Sequence, residues 1–178
     1  MQISRQMIRE GRVWKFGDQV NTDLIFPSAA FRLPQGEQHK LVFSSVRPGW
    51  VELVRDGDFI IAGKNFGLGS ARPVGAVLRA CGIAGVLGES INGICLRNCI
   101  NEGLPALNCP GITELFSEGE QARIDFIKGL ILNPATGHSV TCQGLPLLFV
   151  DIITAAGVVP MLIREGYIEA PSGAPRTT

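Results

Sequence analysis

The sequence predicts an α/β fold with a short parallel βαβαβ core and a β-rich flank. Three observations carry this reading. Between Asp58 and Leu107, short apolar runs alternate with stripes of helical period. After Gln121 the pattern changes to short apolar runs around turn residues such as Lys128-Gly129. The 178 residues suffice for one domain with a sizeable core. Strand, helix, strand, helix, strand is the order of a parallel unit with right-handed crossovers.

Taken in order, the first candidate strand is Arg12-Val13-Trp14-Lys15-Phe16, followed by polar turns and the segment Asp18 to Pro27. An irregular stretch containing Pro34, Gly36, Pro48 and Gly49 comes next. Asp58-Phe59-Ile60-Ile61-Ala62 is the apolar run of a buried strand, and Gly63 to Gly69 is a glycine-rich turn. Val74, Val77, Leu78 and Cys81 recur at i, i+3, i+4 and i+7, which predicts a helix from Ala71 onward with Gly82 as its C-terminal cap. Ile83 to Leu87 reads as the second core strand. Ser90 is expected to cap a second helix whose face carries Ile91, Ile94, Cys95 and Asn98, with Gly103 ending it. Leu104 to Leu107 is the third core strand.

In the flank, Ala122 to Ile127 and Leu130 to Leu132 are expected strands. The turn chemistry of Asn133-Pro134-Ala135-Thr136-Gly137 precedes another. Asp151 is expected to cap a last helix, Ile152 to Ala156, closed by Gly157. Residues 1–10 then form an N-terminal extension, 11–169 the domain, and 170–178 a flexible tail of small and polar residues.

Composition narrows the function classes. Sixteen basic and sixteen acidic residues cancel, which argues against a nucleic-acid binder or an electrostatically held membrane protein. No uninterrupted apolar stretch approaches the ~18 residues of a membrane span. Charged residues make up only 18%, and mean hydropathy is positive at +0.23. So apolar a surface suggests a face covered by another subunit. The five cysteines, Cys81, Cys95, Cys99, Cys109 and Cys142, form no C-x-x-C pair and no zinc spacing. They read as reduced thiols, Cys95 and Cys99 as core packing, and no metal site is expected in this chain. The charged start of the chain, with Arg5, Arg9 and Glu10, is unlike a signal peptide, so the cytoplasm is the expected location.

The densest chemistry lies in Gly63-Lys64-Asn65-Phe66-Gly67-Leu68-Gly69-Ser70-Ala71-Arg72, between strand and helix. Glycines let backbone approach a ligand, and a helix N-terminus presents free N–H groups to an anion. Ser70 and Arg72 would face the same carboxylate or phosphate, with Pro73 tolerated in the first helical turn. The alternative is a tight turn in which Ser70 is a plain N-cap. The spacing fits neither G-x-x-x-x-G-K-S/T nor G-x-G-x-x-G.

Asn65 to Arg72 resembles the N-F-G-C-G-S-S-R-E signature of aconitase-superfamily swivel domains, and in particular that of the small subunits of 3-isopropylmalate dehydratase. Two more blocks agree in order and distance. Asp18 to Pro27 is similar to the family's D-x-V/I-N/D-T-D-x-I-x-P, and Ser90 to Leu104 to its S-F-A-R-I-F-x-R-N-a-i-N-x-G-L. The resemblance runs from about Gly11 to Gly166. It implies a swivel-type β/β/α domain that serves as one subunit of a hydro-lyase acting on a hydroxy-dicarboxylic acid. The most direct expectation is isomerisation of 3-isopropylmalate and 2-isopropylmalate in leucine biosynthesis. It also implies a large partner subunit, in a heterodimer or heterotetramer, carrying a 4Fe-4S cluster that acts as Lewis acid on the leaving hydroxyl.

In this chain, Ser70 aligns with the family's catalytic base and Arg72 with its substrate-binding arginine. Gly69, Ala71, Thr22, Asp23 and Arg32 are the further substrate-binding candidates. For Thr22 and Asp23, a turn that orders the loop is the alternative to direct contact. Arg97 and Asn98 read as a polar pair supporting the loop. Several positions depart from the family pattern. Ala71 replaces the second serine, Pro73 the glutamate, Leu68 the cysteine and Gly93 the arginine of F-A-R-I. Ser28 to Leu33 lacks the P-A/G-R-Y-L form that helps choose the substrate, and Arg32 is expected to replace its arginine from a shifted position. These departures also admit another hydroxy-diacid (citramalate, dimethylmalate or homocitrate) or a non-catalytic swivel-fold binding module. Retention of both Ser70 and Arg72 argues against the last.

Overall fold

The computed structural model describes residues 7–170. Its frame is one seven-stranded mixed sheet of order β4-β3-β2-β1-β5-β6-β7. The strands are β1 (Ile8–Phe16), β2 (Phe59–Ala62), β3 (Gly85–Gly88), β4 (Ala106–Asn108), β5 (Gln121–Asp125), β6 (Leu130–Leu132) and β7 (Ser139–Thr141). The pivot is β1. Its second half pairs in parallel with β2, Val13 opposite Phe59 and Phe16 opposite Ala62. Its first half pairs antiparallel with β5, Ile8 opposite Asp125 and Arg12 opposite Gln121. The strand thus begins before the expected Arg12, and the expected 1–10 extension overlaps it. The early residues were missed because Arg9, Glu10 and Gly11 break the apolar run. Residues 171–178 of the expected tail lie outside the described residues.

The expected βαβαβ core is present as β2, α3 (Val74–Ala80), β3, α4 (Gly93–Asn101) and β4, all three strands parallel. All four residues of β2 are buried, as a strand covered on both faces requires. Alternate side chains serve two cores. Ile60 and Ala62 pack with Trp14, Phe26, Phe43, Trp50, Leu78 and Cys99. Phe59 and Ile61 pack on the other side with Phe126, Ile124, Ile112 and Ile153.

Two helix starts differ from expectation. α3 begins at Val74 with Pro73 at its N-cap, not at Ala71, so Ser70 is no cap. α4 is capped by Asn92, whose side chain accepts from Ile94 N, and Ser90 instead accepts from Asn65 N at 2.9 Å. The buried face of α4 is Cys95, Cys99 and Ile100, while Ile94 is exposed. At the end of the chain, α6 (Leu147–Thr154) starts earlier than expected. Asp151 therefore sits inside it rather than capping it. Gly157 opens an unexpected α7 (Val158–Arg164).

The stretch between the first two strands is built of short turns. α1 (Thr22–Ile25) is capped by Asn21, two 3₁₀ turns span Ser28–Arg32 and Gln35–Leu41, and α2 (Trp50–Leu53) follows. α5 (Ile112–Leu115) lies after β4. No single helix among the described residues is long and apolar enough to cross a membrane.

Packing of α3 on α4 depends on Gly75. A Cβ there would lie 2.8 Å from Cys99 Cα and 2.9 Å from Glu102 Cβ. Its N–H donates to Asn98 Oδ1 at 2.8 Å, so Asn98 ties α4 to the first turn of α3 rather than to the loop it was expected to support. Alanine is the better helix former by ~1 kcal/mol, but overpacking backbone against backbone costs ~1–3 kcal/mol. Gly75→Ala is therefore expected to lower the melting temperature by several degrees, measured by thermal unfolding, against the direction of helix propensity.

Candidate active site

The loop after β2 lies at the carboxyl ends of the parallel strands, where open α/β sheets bind ligands. Its backbone is paired on both flanks. On one side Gln19 N donates to Lys64 O at 2.7 Å, Gly67 N to Val20 O at 2.8 Å, and Thr22 N to Leu68 O at 2.8 Å. On the other, Phe66 N donates to Ser90 O at 3.0 Å and Asn92 N to Phe66 O at 2.8 Å. Isolated bridges join Asn21 to Leu68 and Phe66 to Ile91. The three separate sequence blocks thus meet in one hydrogen-bonded node.

Local chemistry explains the path. Asn65, Gly67 and Gly69 take positive φ of 59°, 72° and 113°, a region costly for most side chains. Gly67 has a second reason to be glycine, because any Cβ there would overlap Cys95 Sγ and Cβ. Phe66, fully buried, anchors the loop in the core. Asp18 Oδ1 accepts from Lys64 N at 2.7 Å and fixes the start of the turn.

Past this node, Leu68, Gly69, Ser70 and Ala71 are exposed. The Ser70 hydroxyl takes no partner among the described residues. Arg72, with only 12% of its side chain accessible, turns toward residues 23–28. Its Nη1 donates to Phe26 O at 2.7 Å, its Nη2 to Ser28 Oγ at 3.3 Å, and Nη2 ion-pairs with Asp23. The Arg72 guanidinium lies 5.4 Å from the centre of the Phe31 ring, which packs edge-on against Phe26. Arg72 Nε and the Thr22 hydroxyl are buried without a partner. The Thr22 Oγ1 sits directly under Gly69, 3.2 Å from where a Cβ would stand.

Of the expected site residues, Ser70, Arg72, Gly69, Ala71, Thr22 and Asp23 therefore share one corner. Arg32 does not join them. It is exposed at the end of its 3₁₀ turn, and its neighbour Phe31 occupies the place beside Arg72. The expected helix N-terminus at Ser70 is also absent, since α3 starts at Val74. Asp18, Ser28, Phe31 and Asn92 were not singled out as site residues. Asp18 could have been found as the first acid of its block, whereas Ser28 and Phe31 lie where the family pattern breaks down.

Glu89, directly after β3, was also missed. Its carboxylate accepts from Gly111 N at 2.7 Å, Thr113 N at 2.9 Å and Thr113 Oγ1 at 2.6 Å. Burial raises its pKa, but these hydrogen bonds and the charge of Lys64 together outweigh burial and hold it below the ordinary value.

A curled mixed sheet bearing a glycine loop and a serine–arginine pair at its parallel strand ends is the arrangement of aconitase-type swivel domains. Residues 54–111 match the aconitase C-terminal domain family. The crystal structure of 3-isopropylmalate dehydratase from Methanocaldococcus jannaschii superposes with a TM-score of 0.83 at 32% identity, covering 92% of this chain and 98% of that one. The chain is 40% identical to 3-isopropylmalate dehydratase small subunit 1 of Methanopyrus kandleri over 164 residues, 91% of this chain and 96% of the relative. It is also 40% identical over 162 residues to the isopropylmalate/citramalate isomerase small subunit of Methanocaldococcus jannaschii, covering 89% and 95%. The chain belongs to the 3-isopropylmalate dehydratase small-subunit family, and the swivel fold expected from its motifs is the fold observed. Its relatives are small subunits of a hydro-lyase that works with a large subunit.

Glu89 yields a pH prediction. Its folded pKa lies below the unfolded one, so its contribution is present above ~4.3, the unfolded value, and is lost as pH falls through the folded pKa. Glu89→Gln is expected to melt several degrees below wild type at pH 7. That gap should close as the pH is taken below ~4 in thermal melts.

Proposed function

We propose that this chain is the small subunit of an isopropylmalate isomerase. It closes over a large subunit and interconverts 3- and 2-isopropylmalate by dehydration and rehydration, a cytoplasmic step of leucine biosynthesis. The observation that carries this reading is the exposed Ser70 just past a backbone-paired loop, two residues from an Arg72 whose guanidinium is held by Phe26 O and Asp23. Five free cysteines support a reducing compartment.

Ser70 is the base that removes the proton beside a substrate carboxylate. A free serine hydroxyl is far too weak an acid for this role, so its alkoxide needs adjacent positive charge. Arg72 supplies that charge and a fork for a carboxylate. Asp23, whose side chain is 61% accessible, holds Nη2 while the site is open. An incoming substrate carboxylate takes its place, while Phe26 O keeps Nη1 in register. The exposed backbone at Gly69 and Ala71 and the unpaired Thr22 hydroxyl line the same corner. Arg32 reaches the substrate only if its turn rearranges.

The chain's own donors do not fit an iron–sulfur cluster. Among the described residues no three of His, Cys, Asp or Glu gather at one point, and no cysteine lies in the 63–72 loop. We place the 4Fe-4S cluster in the large partner, in a heterodimer or heterotetramer, where it supplies Lewis acidity toward the leaving hydroxyl. The Ala71 departure and the unusual 28–33 segment favour a second reading within the class. In it the preferred acid is another hydroxy-diacid such as citramalate, a reading supported by the name of the second relative.

In the complex with the large subunit, Ser70→Ala is expected to cut kcat by ~10²–10⁴ with KM little changed. Turnover near the wild-type rate would remove Ser70 as base. Arg72→Lys should instead raise KM by ~10-fold or more, because a point charge cannot replace the fork. A screen of hydroxy-diacids by kcat/KM separates the two substrate readings.

A further inference from the structure

A polar cavity of about 360 Å³ opens at the amino ends of β2 and β3, beside the last turn of α3. The Ser70 corner lies at the opposite, carboxyl ends of these strands. The volume falls at the lower end of the ~300–1,000 Å³ typical of small-molecule sites. Four of the lining residues are Gly57, Gly82, Ile83 and Ala84, and the other three are Arg9, Arg79 and Asp56. The backbone N–H groups of the first four are all spent. Gly57 N donates to Gly82 O at 2.9 Å, Gly82 N to Arg79 O at 2.8 Å, Ile83 N to Leu78 O at 3.1 Å and Ala84 N to Asp58 O at 2.8 Å. Recognition of a ligand therefore falls to the three charged side chains.

Each arginine is anchored by one nitrogen. Half-buried Arg9 donates from Nη1 to Ala84 O at 2.6 Å. Arg79, exposed at the rim, donates from Nη1 to Glu102 O and, at 2.9 Å, to Ala156 O. Nη2 and Nε of both guanidinia make no hydrogen bond among the described residues. Neither arginine forms an ion pair among the described residues, although Asp56 lines the same cavity. Asp56 Oδ1 instead lies over Gly82, 3.3 Å from where a Cβ would stand. Two cations and one carboxylate thus surround one space without closing on each other. Burial and the charge of Arg79 hold Arg9 below its ordinary pKa, as two uncompensated cations around one cavity require.

We propose that this cavity binds a small α-amino acid, whose carboxylate bridges the Arg9 and Arg79 guanidinia while its ammonium meets Asp56. The three charges select the class. The free edges of two guanidinia suit a carboxylate, which accepts from both. A phosphate dianion would satisfy the arginines, but its second charge would stand against Asp56 and the carbonyl end of α3. An ammonium is favoured at that place for the same reason. A zwitterion gives every charged group of the lining an opposite neighbour. The modest volume limits the side chain to a short one. The site shares no residue with the Ser70 corner and does not depend on the role proposed for that corner.

The test titrates the full chain with glycine, L-alanine and L-serine, and with propionate and inorganic phosphate for comparison, by isothermal calorimetry and thermal melts. At least one of the amino acids should bind saturably at millimolar concentration and raise the melting temperature. It should bind more tightly than propionate, which lacks the ammonium. Asp56→Asn should weaken that amino acid ~10-fold or more and leave propionate unchanged. Asp56 makes no side-chain hydrogen bond or ion pair among the described residues, so its loss tests the site without disturbing the fold. Arg9→Gln should weaken both ligands, and Arg72→Lys neither. The assignment is overturned if none of the three amino acids binds saturably, or if phosphate binds more tightly than all of them. Unchanged affinity in Asp56→Asn would overturn it too, as would loss of binding in Arg72→Lys, which would move the ligand to the Ser70 corner.

Discussion

The structure turns on a backbone constraint in the segment from Gly63 to Gly69. This segment bonds to residues 19–22 on one flank and 90–92 on the other, so neither its height nor its direction is free. Three left-handed residues make the path possible, and the missing side chain at Gly67 lets α4 approach through Cys95. Remove that close approach and α4 must retreat from the loop. Because Asn98 on the same helix receives the Gly75 N–H of α3, the retreat would be felt at the start of the helix that follows Arg72. Ser70 and Arg72 are thus placed by a network in which few of the bonds involve their own side chains.

The frame behind the loop rests on β1, which is long enough to belong to both halves of the sheet. Its junction with β2 is held by Asp58, 3% exposed, whose carboxylate accepts from Arg12 Nη2 at 2.6 Å, Trp14 Nε1 at 2.7 Å and Arg55 N at 2.9 Å. A buried carboxylate is costly unless every lone pair is met, and here one charged donor and two neutral ones meet it. The Arg12 guanidinium also lies 4.6 Å from the centre of the Trp14 ring, covering the pair. The parallel strands are thereby held at their amino ends, which leaves the carboxyl ends to carry the loops.

Much of this was legible in the residues, for reasons that differ by element. The β2–α3–β3–α4–β4 order stood out because buried parallel strands read as unbroken apolar runs and helices as 3.6-residue stripes. The caps were misread where two candidates compete within a few residues. Ser90 and Asn92 can both cap, and Ser90 is drawn off by Asn65 N. Pro73 likewise stops the helix from reaching back to Ala71. The pairing of Ser70, Arg72, Thr22 and Asp23 at one corner was readable only because their motifs are known together, since no local periodicity links residue 23 to residue 72. Arg32 failed for a physical reason. Its 3₁₀ turn directs Phe31, not Arg32, to the Arg72 guanidinium.

The corner also explains why the chain is built to be covered. Arg72 is engaged by a carbonyl, a hydroxyl and Asp23, so its charge is partly spent within the chain, and no helix N-terminus backs Ser70. In open water, a serine so placed keeps its proton, because solvent screens the single guanidinium and stabilises the hydroxyl. Exposed Leu68, Ile94 and Phe31 lie on the segments that build this corner. On our reading they are the apolar surface that a large subunit buries. On the same reading, burial removes the screening water and a substrate carboxylate replaces Asp23 on Arg72. The proposed role of Arg72 toward Ser70 is then played in a medium where its field is several-fold stronger. On the proposed function, the small subunit supplies the positioning and assembly supplies the activation.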